Sequence, residues 1–319
     1  MKDFVQKMNE LGKKREAFFF TISFDTTNYW IGSAEEAFNH QILFSFPNKK
    51  NHSLENTTQQ INLAISPIAY NDFQKSFNTV MQEIEYGNSF LCNLTASTPI
   101  ATNADLQTIF TTAKAKYKIY FKNQWTCFSP ESFIQINNNC ISTYPMKGTI
   151  DASITDAEKT ILQDPKETAE HYTIVDLLRN DLSSIAENVV VEKFRYTDKI
   201  ETQHKTLLQI SSSIKGEMPE NWQNNIGSLL EKLLPAGSIS GAPKKKTIEI
   251  INTAETHYRG YYTGIAGYFD GENIDTCVLI RLIENTNNGL IYKSGGGITC
   301  NSNPILEYQE LIQKIYIPT

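Results

Sequence analysis

Cysteine is scarce and scattered in this chain. Cys92, Cys127, Cys140, Cys277 and Cys300 show no CxxC spacing and are odd in number, which excludes a zinc ribbon or a disulfide framework and fits reduced thiols. No apolar run approaches a membrane span, and the opening MKDFVQKMNE lacks the apolar core of a signal peptide. Positive charge is equally thin. Lys244-Lys245-Lys246 is the densest basic run and reads as a solvated helix face, while a net charge of -6 argues against a general nucleic-acid binder. His40, His52, His171, His204 and His257 form neither a metal spacing nor a triad. There is no tandem repeat, no Gly/Ser- or Pro-rich linker and no GxxxxGK[ST] phosphate loop. These absences leave a soluble, cytoplasmic protein with no membrane or nucleic-acid partner. At 319 residues, 40% of them apolar, it can bury a sizeable core.

What is present is a mixture of strands and helices. Apolar residues Phe73, Phe77, Val80, Met81 and Ile84 recur at helical spacing, predicting a helix over 71–86 that stops at Gly87-Asn88. Residues 155–185 read as one or two helices broken near Asp164-Pro165. Further helices are expected over 222–234, from Pro243 to about Asn252, and over 304–315. Strand-like runs cover 18–24, 42–46, 89–95 and 117–121. Asn137-Asn138-Asn139 turns a hairpin over 133–143, and residues 260–293 read as a meander in which 275–284 is one strand. Strands in hairpins rather than crossovers, alternating with long helices, predict an α+β fold of antiparallel sheets covered by helices.

Several constellations can carry chemistry. Glu167 and Glu170 stand three apart on one expected helix, Glu307 and Glu310 on another, with Lys314 four beyond Glu310; these spacings share a helical face. Such a face is either solvated or suited to a hard divalent cation. Arg281 lies in an apolar strand pattern, so its partner is either an internal carboxylate or an anionic ligand. Gly237 to Gly241 precedes a helix N-terminus, and Gly295-Gly296-Gly297 ends a strand; both allow close approach of a ligand to the backbone. Glu131 lies across the expected hairpin from Lys147, an acid/base carboxylate beside an amine. Lys147 itself sits between the strand-like run and the Gly148-Thr149 turn, where an amine held off water becomes a nucleophile. The cluster Asp176, Arg179, Asn180 and Asp181 reads as structural pairing.

Taken in order, Asn93-Leu94-Thr95, SPESF at 129–133, PMKGT at 145–149, ETAEHYTIVDLLRNDL at 167–182, AGSISGAPKKKTIEII at 236–251, YRGYYTGIAGYFDG at 258–271, VLIRL at 278–282 and GGGIT…LEYQELIQK at 295–314 resemble the chorismate-utilising enzymes. That family includes anthranilate, aminodeoxychorismate, isochorismate and salicylate synthases. The resemblance implies two orthogonally packed antiparallel sheets flanked by helices, with chorismate in a deep cleft. It implies Mg2+ held by Glu170 and Glu310, with Glu167 and Glu307 nearby. It also implies substrate contacts from Thr149, Tyr262, Arg281, Lys314 and the amides of Gly296 and Gly297. Where anthranilate synthases carry alanine before Gly-Thr, aminodeoxychorismate synthases carry a lysine that attacks ring carbon 2, and Lys147 occupies that position. The implied product is 4-amino-4-deoxychorismate, on the route to para-aminobenzoate and folate, with Glu131 as the acid that assists departure of the hydroxyl.

The chain departs from the family pattern in three places. Leu91 stands where isochorismate synthases carry a water-activating lysine, Gln209 replaces a histidine linked to pyruvate elimination, and Ile150 replaces a more polar residue. Anthranilate synthesis, or chorismate binding with little activity, are the competing readings. A single chorismate-binding domain over 1–319 is expected, with an abbreviated N-terminal part (1–65), a catalytic core (66–316) and weak or no tryptophan regulation. No GxCxGxQ glutaminase signature occurs, so ammonia is expected from a separate glutamine amidotransferase subunit.

Overall fold

The computed structural model describes residues 1–201 and 206–319, apart from the side chains at 166, 200 and 201; His204 therefore lies outside the described residues. Two antiparallel sheets, flanked by helices, dominate the fold, each with nine strands among the described residues. The first runs Met146–Asp151, Thr206–Glu217, Cys140–Thr143, Ser132–Asn137, Ile274–Val278, Ile265–Phe269, Phe18–Ile22 and Tyr29–Gly32, with Glu187–Glu201 also on Thr206–Glu217. The second runs Gly241–Ala242, Leu91–Thr102, Gly289–Ile298, Leu282–Thr286, Trp125–Ser129, Tyr117–Phe121, Ile42–Phe46 and Lys49–Lys50, with Leu63–Ile65 also on Leu91–Thr102.

One ribbon belongs to both sheets. Trp125–Ser129 pairs with Leu282–Thr286 in the second sheet, and its continuation Ser132–Asn137 pairs with Ile274–Val278 in the first. The two strands bend together: Phe128 N donates to Arg281 O at 3.1 Å, and Val278 N donates to Glu131 O at 3.2 Å. Arg281 takes φ +57 at this corner, a left-handed conformation that a regular strand cannot contain. The expectation of one strand over 275–284 is thus corrected. The apolar run looks continuous because it is buried in one sheet before the bend and in the other after it.

The helices follow their apolar faces. Tyr70–Glu85 buries Phe73, Phe77, Val80 and Ile84. Ala157–Gln163 and Pro165–Ser183 are separate helices; Asp164 caps the second through Glu167 N at 2.9 Å and Pro165 occupies its first turn. Helices Lys244–Ala254 and Pro304–Gln313 also form. The helix Lys2–Lys13 was not anticipated; its buried Phe4 and Met8 join the main core with Trp222 and Ile226. No helix among the described residues is long and apolar enough to cross a membrane.

Candidate active site

The corner of the shared ribbon places Glu131 and Arg281 on adjacent backbone turns. Glu131 Oε1 accepts a hydrogen bond from Ser238 Oγ at 2.8 Å. Burial raises the pKa of its carboxyl above the usual carboxylate value; the Ser238 bond and the charges of Lys147, Lys314 and Arg281 pull it back. Arg281 donates from Nη1 to Lys314 O at 2.8 Å, and its guanidinium lies 4.7 Å over the Tyr316 ring. Its buried Nε has no hydrogen-bond partner. Arg281 is only half-buried, so it lies at the edge of the expected interior layer with its Nε still to be satisfied. Tyr262 is buried nearby, and burial pushes its phenol pKa up while Arg259 and Arg281 oppose that rise.

Lys147 lies inside the strand Met146–Asp151 rather than before a turn, paired with Ile210. The register slips between Lys147 and Thr149, where Gly148 takes φ +73, a bulge that re-aims the neighbouring side chains. A β-carbon at Gly148 would fall 2.9 Å from Glu167 Oε2, so the glycine admits that carboxylate to the backbone. Lys147 Nζ stands 3.6 Å from Glu170 Oε2. Thr149 is exposed and pairs with Gln209.

Gly296 and Gly297, at the end of the strand Gly289–Ile298, join these groups. A β-carbon at Gly297 would fall 2.9 Å from Leu91 Cδ1, 3.2 Å from Lys147 Nζ and 3.9 Å from Glu170 Oε2. One at Gly296 would fall 3.6 Å from both Glu307 Oε2 and Glu310 Oε1 and 3.7 Å from Lys314 Nζ. Lys314 Nζ also meets Glu310 Oε1 at 2.6 Å and donates to Gly295 O at 2.9 Å. Glu170 and Glu307 are buried, at 6% and 4% exposure. The structure therefore brings Lys147, Glu170, Glu307, Glu310 and Lys314 to one strand end, with Glu131 and Arg281 on the adjoining corner.

The oxygen donors in this group are the carboxylates of Glu170, Glu307 and Glu310. Among the described residues no three His, Cys, Asp or Glu side chains form a metal-holding group by themselves. Carboxylate oxygens are the donor type that hard divalent cations take.

Several further residues have partners that the sequence reading does not assign. Arg259 is buried and donates to Glu255 through Nε at 2.8 Å and Nη2 at 2.6 Å, to Asn93 O at 2.6 Å and to Ile239 O at 3.0 Å. Glu255 also accepts from Thr95 N and Oγ1, both at 2.8 Å. His171, beside Glu170, is fully buried and meets Ser212 Oγ at 2.6 Å; burial, with Arg195 and Lys147, lowers its pKa to about 4. Lys244 is not on a solvated face: it pairs with Asp181 at 3.0 Å and donates to Leu233 O. Arg179 and Asp176 pair at 2.7 Å. The Arg179–Asp176 pair is expected from its spacing on one helix, whereas periodicity signals none of the other partners, because each is distant in sequence or requires the loop conformation.

A family model described as chorismate binding enzyme matches residues 3–319. A PabA-like protein of Pasteurella multocida (strain Pm70) is 49% identical over 317 residues, covering 99% of this chain and 98% of that protein. Anthranilate synthase component 1 of Acetivibrio thermocellus is 31% identical across 78% of this chain and 52% of its own length. Aminodeoxychorismate synthase component 1 of Bacillus subtilis (strain 168) is 28% identical across 79% of this chain and 55% of its own length. The solved structure of anthranilate synthase component I from Streptococcus pneumoniae TIGR4 superposes with a TM-score of 0.67 at 27% identity, over 85% of this chain and 61% of that one. The chain thus spans little more than half of the two synthases with assigned activities.

Proposed function

The chain belongs to the chorismate binding enzyme family, and on that premise we propose that it aminates chorismate to 4-amino-4-deoxychorismate. The observation that carries this reading is Lys147, whose amine stands at the strand end beside Gly297 and Glu170. An amine there can act as a covalent nucleophile; an alanine could not.

In the proposed sequence Lys147 attacks ring carbon 2 as the free amine. The new C–N bond shifts both conjugated ring double bonds, from 1,2 and 5,6 to 1,6 and 4,5, and the bond from carbon 4 to its hydroxyl oxygen breaks. Glu131 delivers a proton to that oxygen, which leaves as water, and burial suits the carboxyl to hold that proton. Ammonia then forms a bond to carbon 4, both double bonds shift back and the carbon 2–lysine bond breaks to release the amine; the Glu131 carboxylate takes the proton shed by the incoming nitrogen. Arg281, Lys314 and the Gly296 and Gly297 amides would orient the two substrate carboxylates, with Tyr262 and Thr149 as further contacts. Glu170 and Glu310 would hold Mg2+, with Glu167 and Glu307 close by, and the bound ion would supply positive charge for the ring carboxylate. Ammonia would come from a separate glutamine amidotransferase, and the product would feed para-aminobenzoate and folate synthesis.

The test is incubation of the purified protein with chorismate, Mg2+ and ammonium. Aminodeoxychorismate is the expected product. Fluorescent anthranilate formed without an added lyase would replace this reading with anthranilate synthesis, and calorimetric chorismate binding without turnover would replace it with a binding subunit.

A further inference from the structure

We propose that Ser238 is a positioning residue that fixes the acid proton of Glu131 on Oε2, the carboxyl oxygen left to face the substrate. The inference rests on the reading of Glu131 as the acid above. A carboxyl turns about a broad, two-fold torsion and has two equivalent oxygens until something distinguishes them. Ser238 Oγ donates to Oε1 at 2.8 Å, and an oxygen accepting that proton is a poor place for a second one.

Both ends of this hydrogen bond are held by backbone. Glu131 N donates to Ser129 Oγ at 3.1 Å, and Glu131 O accepts from Val278 N at 3.2 Å. On the other side, Ile239 O accepts from Asn93 Nδ2 at 2.9 Å and from Arg259 Nη1 at 3.0 Å. Ser240 O accepts from Asn93 N at 2.9 Å, and Ser240 Oγ donates to Ala236 O at 2.9 Å. The buried Arg259 network thus clamps the loop immediately after Ser238. Through that clamp the network acts on Ser238 and so on Glu131, and among the described residues no other side chain on that loop bonds to the carboxyl.

The charged groups facing Glu131 are Lys147 from Met146–Asp151, Lys314 from the end of the last helix and Arg281 from the ribbon corner. All three favour the carboxylate, as does the Ser238 hydrogen bond, and burial opposes them. In the acid step the proton leaves Oε2 for the carbon 4 hydroxyl oxygen as the C–O bond breaks, giving water and a carboxylate still bonded to Ser238.

The test compares the parent with Ser238→Ala, Ser238→Thr and Glu131→Gln for aminodeoxychorismate formation from chorismate, Mg2+ and ammonium across pH, alongside thermal melting. For Ser238→Ala, kcat should fall about tenfold with KM within about twofold. The high-pH limb of its kcat profile should move to higher pH, because a bond favouring the carboxylate is gone. Ser238→Thr should retain both the parent rate and the parent limb, and residual turnover by Glu131→Gln should lack that limb. A Ser238→Ala enzyme with the parent's kcat and limb, or one whose rate falls only with its folded fraction, overturns this inference alone. A parent that makes anthranilate or no product overturns it together with the functional reading.

Discussion

Two arginines mark two regions of different character. Arg259 lies under the strand Leu91–Thr102, with its donors taken by Glu255, Asn93 O and Ile239 O and its guanidinium 4.5 Å from the Phe24 ring centroid. Arg281, on the ribbon corner, has one backbone acceptor, an aromatic ring beneath it and an unpartnered Nε. Both are cations close enough to the buried Tyr262 phenol to oppose its raised pKa. The difference is where their hydrogen bonds end: a guanidinium satisfied within the protein holds loops in place, whereas one with donors in reserve can hold an anion.

Substitutions can break this contrast, and the largest effect belongs to the open region. Lys147→Ala should lower aminodeoxychorismate formation roughly ten-thousandfold or more and remove the covalent adduct that intact-protein mass spectrometry should detect in the parent under chorismate without ammonia. Its melting temperature should stay close to the parent's. Arg259→Leu should do the reverse, because it strands the buried Glu255 carboxylate: a loss of about 3–5 kcal/mol in urea unfolding is expected. Arg281→Lys sharpens the comparison. It keeps the charge but not the planar fork, so KM for chorismate should rise on the order of tenfold to a hundredfold in steady-state assays while stability barely changes.

The smallest effect concerns His257, which meets Thr95 Oγ1 at 3.2 Å beside the Arg259 network. Burial lowers its pKa to about 4 despite the nearby Glu255. Between about 6.5 and 4 the unfolded chain therefore binds a proton that the fold excludes. The associated stability is fully present above the ordinary imidazole range and is lost as pH falls toward 4, by on the order of 1–3 kcal/mol. His257→Gln should reduce the slope of unfolding free energy against pH across that window, leaving the share of the similarly buried His171; an unchanged slope would rule His257 out as a source.

Legibility in the sequence tracked locality. The helix expected over 71–86 is Tyr70–Glu85, and the Asp164-Pro165 break falls between two helices, because apolar spacing and a proline act within a few residues. The strand expected over 117–121 is Tyr117–Phe121. The long strand Glu187–Glu201 was not read from its residues: half-exposed and irregularly registered on Thr206–Glu217, it lacks a clean alternation. The GSISG loop looked like a backbone anion site, and its serine turned out to be bonded to Glu131.

By itself, the sequence determined the residue types: the amine at 147, the two carboxylate pairs, the glycines at 295–297 and the order of motifs that marks the family. These depend only on which side chains occur and how far apart they stand along the chain. Tertiary structure decided which of them meet. Arg281 came to the corner beside Glu131 because a ribbon shared by two sheets must bend where it changes sheet. Glu131 came with it because the paired strand bends at the same level, and Ser238 joined it because Asn93 and Arg259 hold its loop there. Such contacts depend on pairing between segments far apart in the chain, which no local pattern of residues encodes.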